Sequence, residues 1–165
     1  MKRIVLGVGE DGRSSVLIEG PPRPVPRVNQ QLEASAEEPK ERVYLVWSTP
    51  NPDSSARDYA AEMTDFNFRL SPGEVRFLRV EIAPGAESPM HRTPYTNEYL
   101  VAISGELTMY AEDGTSSIFQ AGDSLVQLAG WHYWRNDNDA PFVMAGAVVG
   151  VESDLDIPSG VELSI

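Results

Sequence analysis

The sequence predicts an all-β fold, a sandwich or barrel of short antiparallel strands, and three observations carry that prediction. From position 66 onward, strand-like runs follow one another at 75–83, 98–103, 106–111, 116–120, 124–128, 133–136 and 142–151. They are separated by Pro84-Gly85, Ser104-Gly105, Asp113-Gly114, Ala121-Gly122-Asp123, Ala129-Gly130 and Asp137-Asn138-Asp139, which are turn-forming residues. The intervals are also too short for the crossover helix that joins parallel strands, so neighbours must run antiparallel. Nothing repeats at a fixed period, which argues against a solenoid.

The first third reads as an extension that contains strands. Residues 3–8 and 15–19 are β-branched runs on either side of Glu10-Asp11-Gly12, the pattern of a hairpin. Gly20-Pro21-Pro22-Arg23-Pro24-Val25-Pro26 excludes a helix or a central strand, because each proline removes an amide donor and fixes φ. Residues 30–42 are polar and read as an exposed loop or a short helical turn, with Glu37-Glu38 and Lys40-Glu41-Arg42 as a solvated charge cluster. The run RVYLVWS at 42–48 is too continuously apolar for a surface and is a strand. A loop at 51–57 and a helical turn at 58–64 follow. The expected organisation is an extension over 1–67 that forms a dimer, a barrel over 68–151, and a tail over 152–165 that packs as an edge strand.

Composition narrows the function. The chain has 165 residues, 41% of them hydrophobic and 23% charged, enough to bury one core. Its 25 acidic and 13 basic residues give a net charge of −12, a surface that repels nucleic-acid phosphates and anionic lipid. No partner of either kind is expected. There is no cysteine, which excludes disulfides, thiolate metal sites and a cysteine nucleophile. Imidazole chemistry must use His91 or His132, the only two histidines. The apolar run after Lys2-Arg3 stops at Gly9 and is too short for a secretory segment, and no stretch is long and apolar enough for a membrane helix. A cytoplasmic protein is expected. No G-x-S-x-G elbow, P-loop or complete dinucleotide fingerprint occurs.

Two segments carry the chemistry. In the first, Gly85, His91, Thr93, Glu98 and Gly105 are spaced as G-x5-H-x-T-x4-E-x6-G. In the second, Gly122, Leu128, Gly130, His132 and Asn136 are spaced as G-x5-L-x-G-x-H-x3-N. Together they resemble the two motifs of the cupin superfamily, with Thr93 in place of the second histidine, Leu128 in place of a proline, and one residue fewer between Gly130 and His132. The resemblance covers about 68–151. It implies a double-stranded β-helix, or jelly-roll barrel, with a small-molecule ligand, and the wording of the motifs is similar to single-domain cupins with an N-terminal extension.

Alternation along a strand puts residues two apart on one face. His91, Thr93 and Tyr95 are therefore expected to point together, as are His132 and Trp134, with Trp131, Tyr133 and Arg135 opposite. Meeting inside a barrel, His91, Glu98 and His132 would be two imidazoles and one carboxylate, a donor set that suits a divalent ion of iron, manganese, zinc or nickel. The expected roles are metal ligation by His91, Glu98 and His132, and catalysis by Glu98 and His132. Thr93, Trp134, Tyr95 and Arg92 would bind a small, aromatic or polyketide-like substrate. The reading is a metal-dependent enzyme of dioxygenase, isomerase or cyclase, decarboxylase or lyase type. One alternative is a metal-free binding or sensor protein, and another a metal-free enzyme with Glu98 or His132 as general base. The extension strands, which cannot bury both faces alone, point to a homodimer.

Overall fold

A computed structural model describes residues 2–8, 11–24, 40–49 and 70–152. Of the loop or helical turn expected at 30–42, residues 30–39 lie outside the described residues, as do the loop at 51–57, the helical turn at 58–64 and the tail beyond 152; Glu41 and Arg42 begin a strand instead. Within them, every regular element is a strand. Among the described residues no helix is long and apolar enough to cross a membrane.

The strands are β1 (Arg3–Val8), β2 (Ser14–Gly20), β3 (Arg23–Pro24), β4 (Glu41–Thr49), β5 (Val75–Ile82), β6 (Thr96–Ser104), β7 (Glu106–Ala111), β8 (Ser116–Gln120), β9 (Ser124–Gln127), β10 (His132–Arg135) and β11 (Phe142–Gly150). The hairpin β1–β2 stands as a two-stranded sheet of its own. The barrel wall is a six-stranded sheet in the order β3-β4-β5-β11-β6-β9 and a three-stranded sheet in the order β10-β7-β8. All of these pairings are antiparallel. Among the described residues the proline run supplies β3, a two-residue strand at the sheet edge, where a missing amide costs least. The sheet draws on residues from both sides of position 68, because β4 pairs with β5 from Glu41↔Ile82 to Thr49↔Val75.

The core lies between the two sheets. Val43 and Leu45 of β4, Leu78 and Val80 of β5, and Leu100 and Ala102 of β6 meet Leu107, Phe119 and Trp134 of the smaller sheet. Phe142, Leu45 and Leu107 are fully buried, and each contributes roughly 1.5–3 kcal/mol of apolar burial. The Phe119 and Phe142 rings meet at 5.5 Å, tilted by 53°, across that interface. Asn136 is also fully buried. Its Nδ2 donates to the carbonyls of Ile82, Ala83 and Ala140 at 3.0–3.2 Å, and its Oδ1 accepts from the Asn138 amide at 3.1 Å. The last residue of the second motif thus ties three chain segments together. Gly105 must be glycine: φ is 78°, and a Cβ there would sit 2.7 Å from the Pro141 carbonyl oxygen.

Candidate functional site

After β5 the chain turns and runs back alongside β10 in an irregular path. The Gly85 amide donates to the Asn136 carbonyl at 2.8 Å, and the Ser88 amide to that of Trp134 at 3.0 Å. At the end of this path His91 and His132 exchange both backbone bonds, at 2.8 and 2.9 Å. They form an antiparallel bridge, and such facing residues carry neighbouring side chains. The two imidazoles accordingly lie 4.4 Å apart, centroid to centroid. Trp134, two residues along β10, meets His132 edge-on at 5.3 Å.

These groups open on a cavity of about 100 Å³ inside the barrel. Its polar lining is Glu41, His91, Thr93, Glu98 and His132, and its apolar wall includes Leu78, Leu100, Trp134 and Met144. Residues from both motifs therefore converge, as their spacing predicted. Two expected members do not line the cavity. Tyr95 is 54% exposed and adopts φ of 59°, a left-handed turn that breaks the strand alternation linking it to His91 and Thr93. Arg92 is exposed, and its guanidinium lies 5.7 Å from the Trp131 ring centre on the outside. Tyr133 faces away from the cavity as expected and stacks on Tyr110 at 4.5 Å. Arg135 joins Asp137 at 2.7 Å.

Glu41 was not anticipated. Read as part of a solvated charge cluster, it is instead the first residue of β4 and lines the cavity. The signal was the alternation Glu41, Val43, Leu45, which puts Glu41 on the same face as two buried core residues.

The two histidines are held in one tautomer. His91 Nδ1 donates to the Pro89 carbonyl at 2.8 Å, and His132 Nδ1 to the Gly130 carbonyl at 2.9 Å. A carbonyl can only accept, so the proton of each neutral ring is on Nδ1 and the lone pair on Nε2. Burial, aided by the neighbouring His91, lowers the pKa of His132 from 6.5 to about 4, against the opposing bond to Gly130. At neutral pH this ring is an uncharged lone-pair donor. Glu98 moves the other way: burial raises its pKa from 4.5 to about 7, and only a hydrogen bond from the Thr93 hydroxyl opposes it. Thr93, at the position of the missing histidine, thus holds the carboxylate in place.

A divalent cation suits this chemistry. Two bare Nε2 atoms and a carboxylate short of positive charge are the ligand types such ions take, and tying each Nδ1 to a carbonyl is how proteins orient ligating imidazoles. Among the described residues no three His, Asp or Glu side chains stand already gathered around one point.

Residues 78–150 match the family model of the cupin domain. Its barrel is a cupin domain. The motif resemblance is thereby established, and the paired sheets described above are those of the cupin double-stranded β-helix. The chain is 31% identical over 103 residues to phomopsin biosynthesis cluster protein C' of Diaporthe leptostromiformis, covering 59% of this chain and 54% of the relative. It is 36% identical over 104 residues to an oxalate decarboxylase of Bacillus subtilis, covering 60% of this chain and 26% of that enzyme. A double-stranded β-helix protein of Klebsiella pneumoniae superposes with a TM-score of 0.44 at 24% identity, over 51% of this chain and 74% of the other. This cupin spans about half the length of the phomopsin-cluster relatives.

Proposed function

We propose that this cupin is a metal-dependent enzyme acting on the oxygen-bearing head group of a small organic molecule. The observation that carries the reading is the pair of Nδ1-anchored imidazoles, His91 and His132, on one cavity with the buried carboxyl of Glu98. These three residues would hold the ion, which would supply Lewis-acid polarisation of a substrate carbonyl, enol or hydroxyl.

The chain's own residues divide the remaining work. His132, uncharged at neutral pH, contributes a lone pair and no proton. Glu98, whose pKa burial raises to about 7 in the metal-free chain, would give up its proton on taking the ion and ligate as a carboxylate. Thr93 orients that carboxyl, while Leu78, Leu100 and Met144 keep the head group dry. A cavity of about 100 Å³ is smaller than the roughly 150 Å³ that admits a benzene ring. The head group of an aromatic or polyketide-like substrate therefore enters, and the rest of it lies at the mouth. Relatives named as a decarboxylase and as cupin-domain oxidoreductases support small-molecule chemistry without selecting among reaction types.

Untagged protein reconstituted with metal and analysed by elemental mass spectrometry is expected to carry about one equivalent of divalent ion. His132→Ala should carry almost none. Unchanged stoichiometry in that variant would overturn the metal reading. The alternative, a cation-free binding protein, is favoured by the absence of a gathered three-ligand cluster among the described residues. It predicts no specific metal in either protein.

The reading includes a homodimer. Tyr99, Val101 and Ile103 project from the outer face of β6 about half exposed, with Val126 of the neighbouring strand beside them. A continuous apolar sheet face of this kind is what a second copy covers in an isologous pair.

A further inference from the structure

Strand β9 turns a polar side chain inward at the one register position that faces Glu98. The pairs across β6 and β9 are Leu100↔Leu125, Tyr99↔Val126 and Glu98↔Gln127. Tyr99 and Val126 are about half exposed, whereas Leu100 is buried and Leu125 packs against the core. Alternation therefore puts Gln127 on the inner face, beside Glu98. Gln127 is 9% exposed, and its Oε1 is buried with no hydrogen-bond partner among the described residues.

A buried amide oxygen without a donor has given up its bonds to water for nothing. Methionine or leucine would fill the same place without that cost, so packing does not account for the amide. The carboxyl opposite does. Facing residues carry their Cβ atoms about 5 Å apart, a gap that two side chains of this length span. Glu98 accepts a hydrogen bond from the Thr93 hydroxyl, and a carboxylate has two oxygens with room for further donors. A half-turn about the last side-chain bond of Gln127 exchanges Oε1 for Nε2 in the same volume. The amide then offers a donor where it now holds an acceptor. Carboxylates that ligate ions are themselves held by hydrogen bonds, and Thr93 and Gln127 can hold this one from two sides.

We propose that Gln127 is a positioning residue for Glu98, its amide donating from Nε2 to the carboxylate and fixing that group in the orientation that takes the ion. The inference rests on the reading of Glu98 as a metal ligand.

The test titrates chelator-treated protein with Co(II), whose visible absorption reports its ligands, and measures the urea midpoint of the same samples without metal. Gln127→Met keeps the length of the side chain and removes the amide. It is expected to weaken Co(II) binding about tenfold or more, with a urea midpoint equal to or above that of wild type because no orphaned oxygen remains. Gln127→Leu repeats the measurement with a second apolar shape. Gln120→Met, at an exposed glutamine of β8, should leave Co(II) affinity unchanged and so exclude a general effect of the exchange. Affinity within twofold of wild type in Gln127→Met, a loss of affinity matched by a lower midpoint, or failure of both apolar variants to fold would overturn the proposal and leave Gln127 a structural residue. Wild type that takes up no Co(II) would refute the metal reading and this inference with it. Uptake that does not respond to Gln127 would refute this inference alone.

Discussion

The two faces of strand β6 reverse the usual arrangement of a protein surface. Glu98, Leu100 and Ala102 point into the barrel, while Tyr99, Val101 and Ile103 point out of it, each about half exposed. The inward face carries a carboxyl and the outward face three large apolar side chains. Alternation alone decides which residue goes where, so one strand supplies both the lining of the chemical cavity and an apolar surface. The difference teaches that polarity by itself does not locate function in this barrel. An acid inside and a tyrosine outside are both anomalies, and each requires its own explanation.

The comparison breaks most sharply under truncation. Leu100→Ala removes a side chain that is 6% exposed and lies between core and cavity, and should destabilise the protein by about 2–5 kcal/mol. Val101→Ala, one residue along and 48% exposed, should cost within about 0.5 kcal/mol in the monomer. Urea unfolding of both variants at low protein concentration checks this. Equal losses would mean that the outer face is covered even in the monomer.

The inward acid makes a second, pH-dependent prediction for metal-free protein. The pKa of Glu98 rises from 4.5 to about 7 on folding, so between those values the native state holds a proton that the unfolded chain has released. Stability therefore falls as pH rises through this window, by up to about 3 kcal/mol. His132 acts in the opposite sense. Its pKa falls from 6.5 to about 4 on folding, so the unfolded chain takes up the proton first and stability falls as pH drops through that range. The two effects oppose each other across the overlap, and above pH 7 only the burden of Glu98 remains. Glu98→Gln should therefore stabilise chelator-treated protein by about 2–3 kcal/mol at pH 8 and hardly at all at pH 4. An equal gain at both values would show that the carboxylate is not desolvated. For metal uptake the sign follows directly: the proton on Glu98 must leave, so affinity should weaken as pH falls below 7.

Much of this is legible in the amino-acid sequence itself. Turn residues marked the strands to within a few positions because glycine and proline act locally, and the two motifs brought His91, Thr93, Glu98, His132 and Trp134 to one cavity because their spacing encodes barrel register. What could not be read depended on single backbone or side-chain choices. Tyr95 left the alternating face through one left-handed φ, which spacing cannot reveal for a non-glycine residue. Arg92 found an aromatic partner, Trp131, far along the chain. Glu41 was hidden by composition: among Glu37, Glu38, Lys40 and Arg42 it resembles solvent-facing charge, and only its phase with Val43 and Leu45 sets it apart. Thr93 was expected to bind a ligand oxygen, and its hydroxyl instead bonds Glu98.

The outward face offers the smallest effect on folding and the clearest on assembly. Across the sheet, Phe77 and Tyr99 flank Ala147, and Val126 pairs with Tyr99, so one apolar row crosses four strands. Phe77, Tyr99 and Val126 are 44–60% exposed. A chain of net charge −12 resists self-association everywhere except where charge is absent, and this row contains none. Val101→Lys should therefore leave the urea midpoint of the isolated chain within about 0.5 kcal/mol of wild type, while lowering the mass measured by light scattering from that of a dimer to that of a monomer. A wild-type monomer would remove the homodimer from the reading. A dimer that survives both Val101→Lys and Tyr99→Lys would move the contact to the hairpin β1–β2, whose Ile4, Leu6 and Val8 form a second exposed aliphatic row among the described residues.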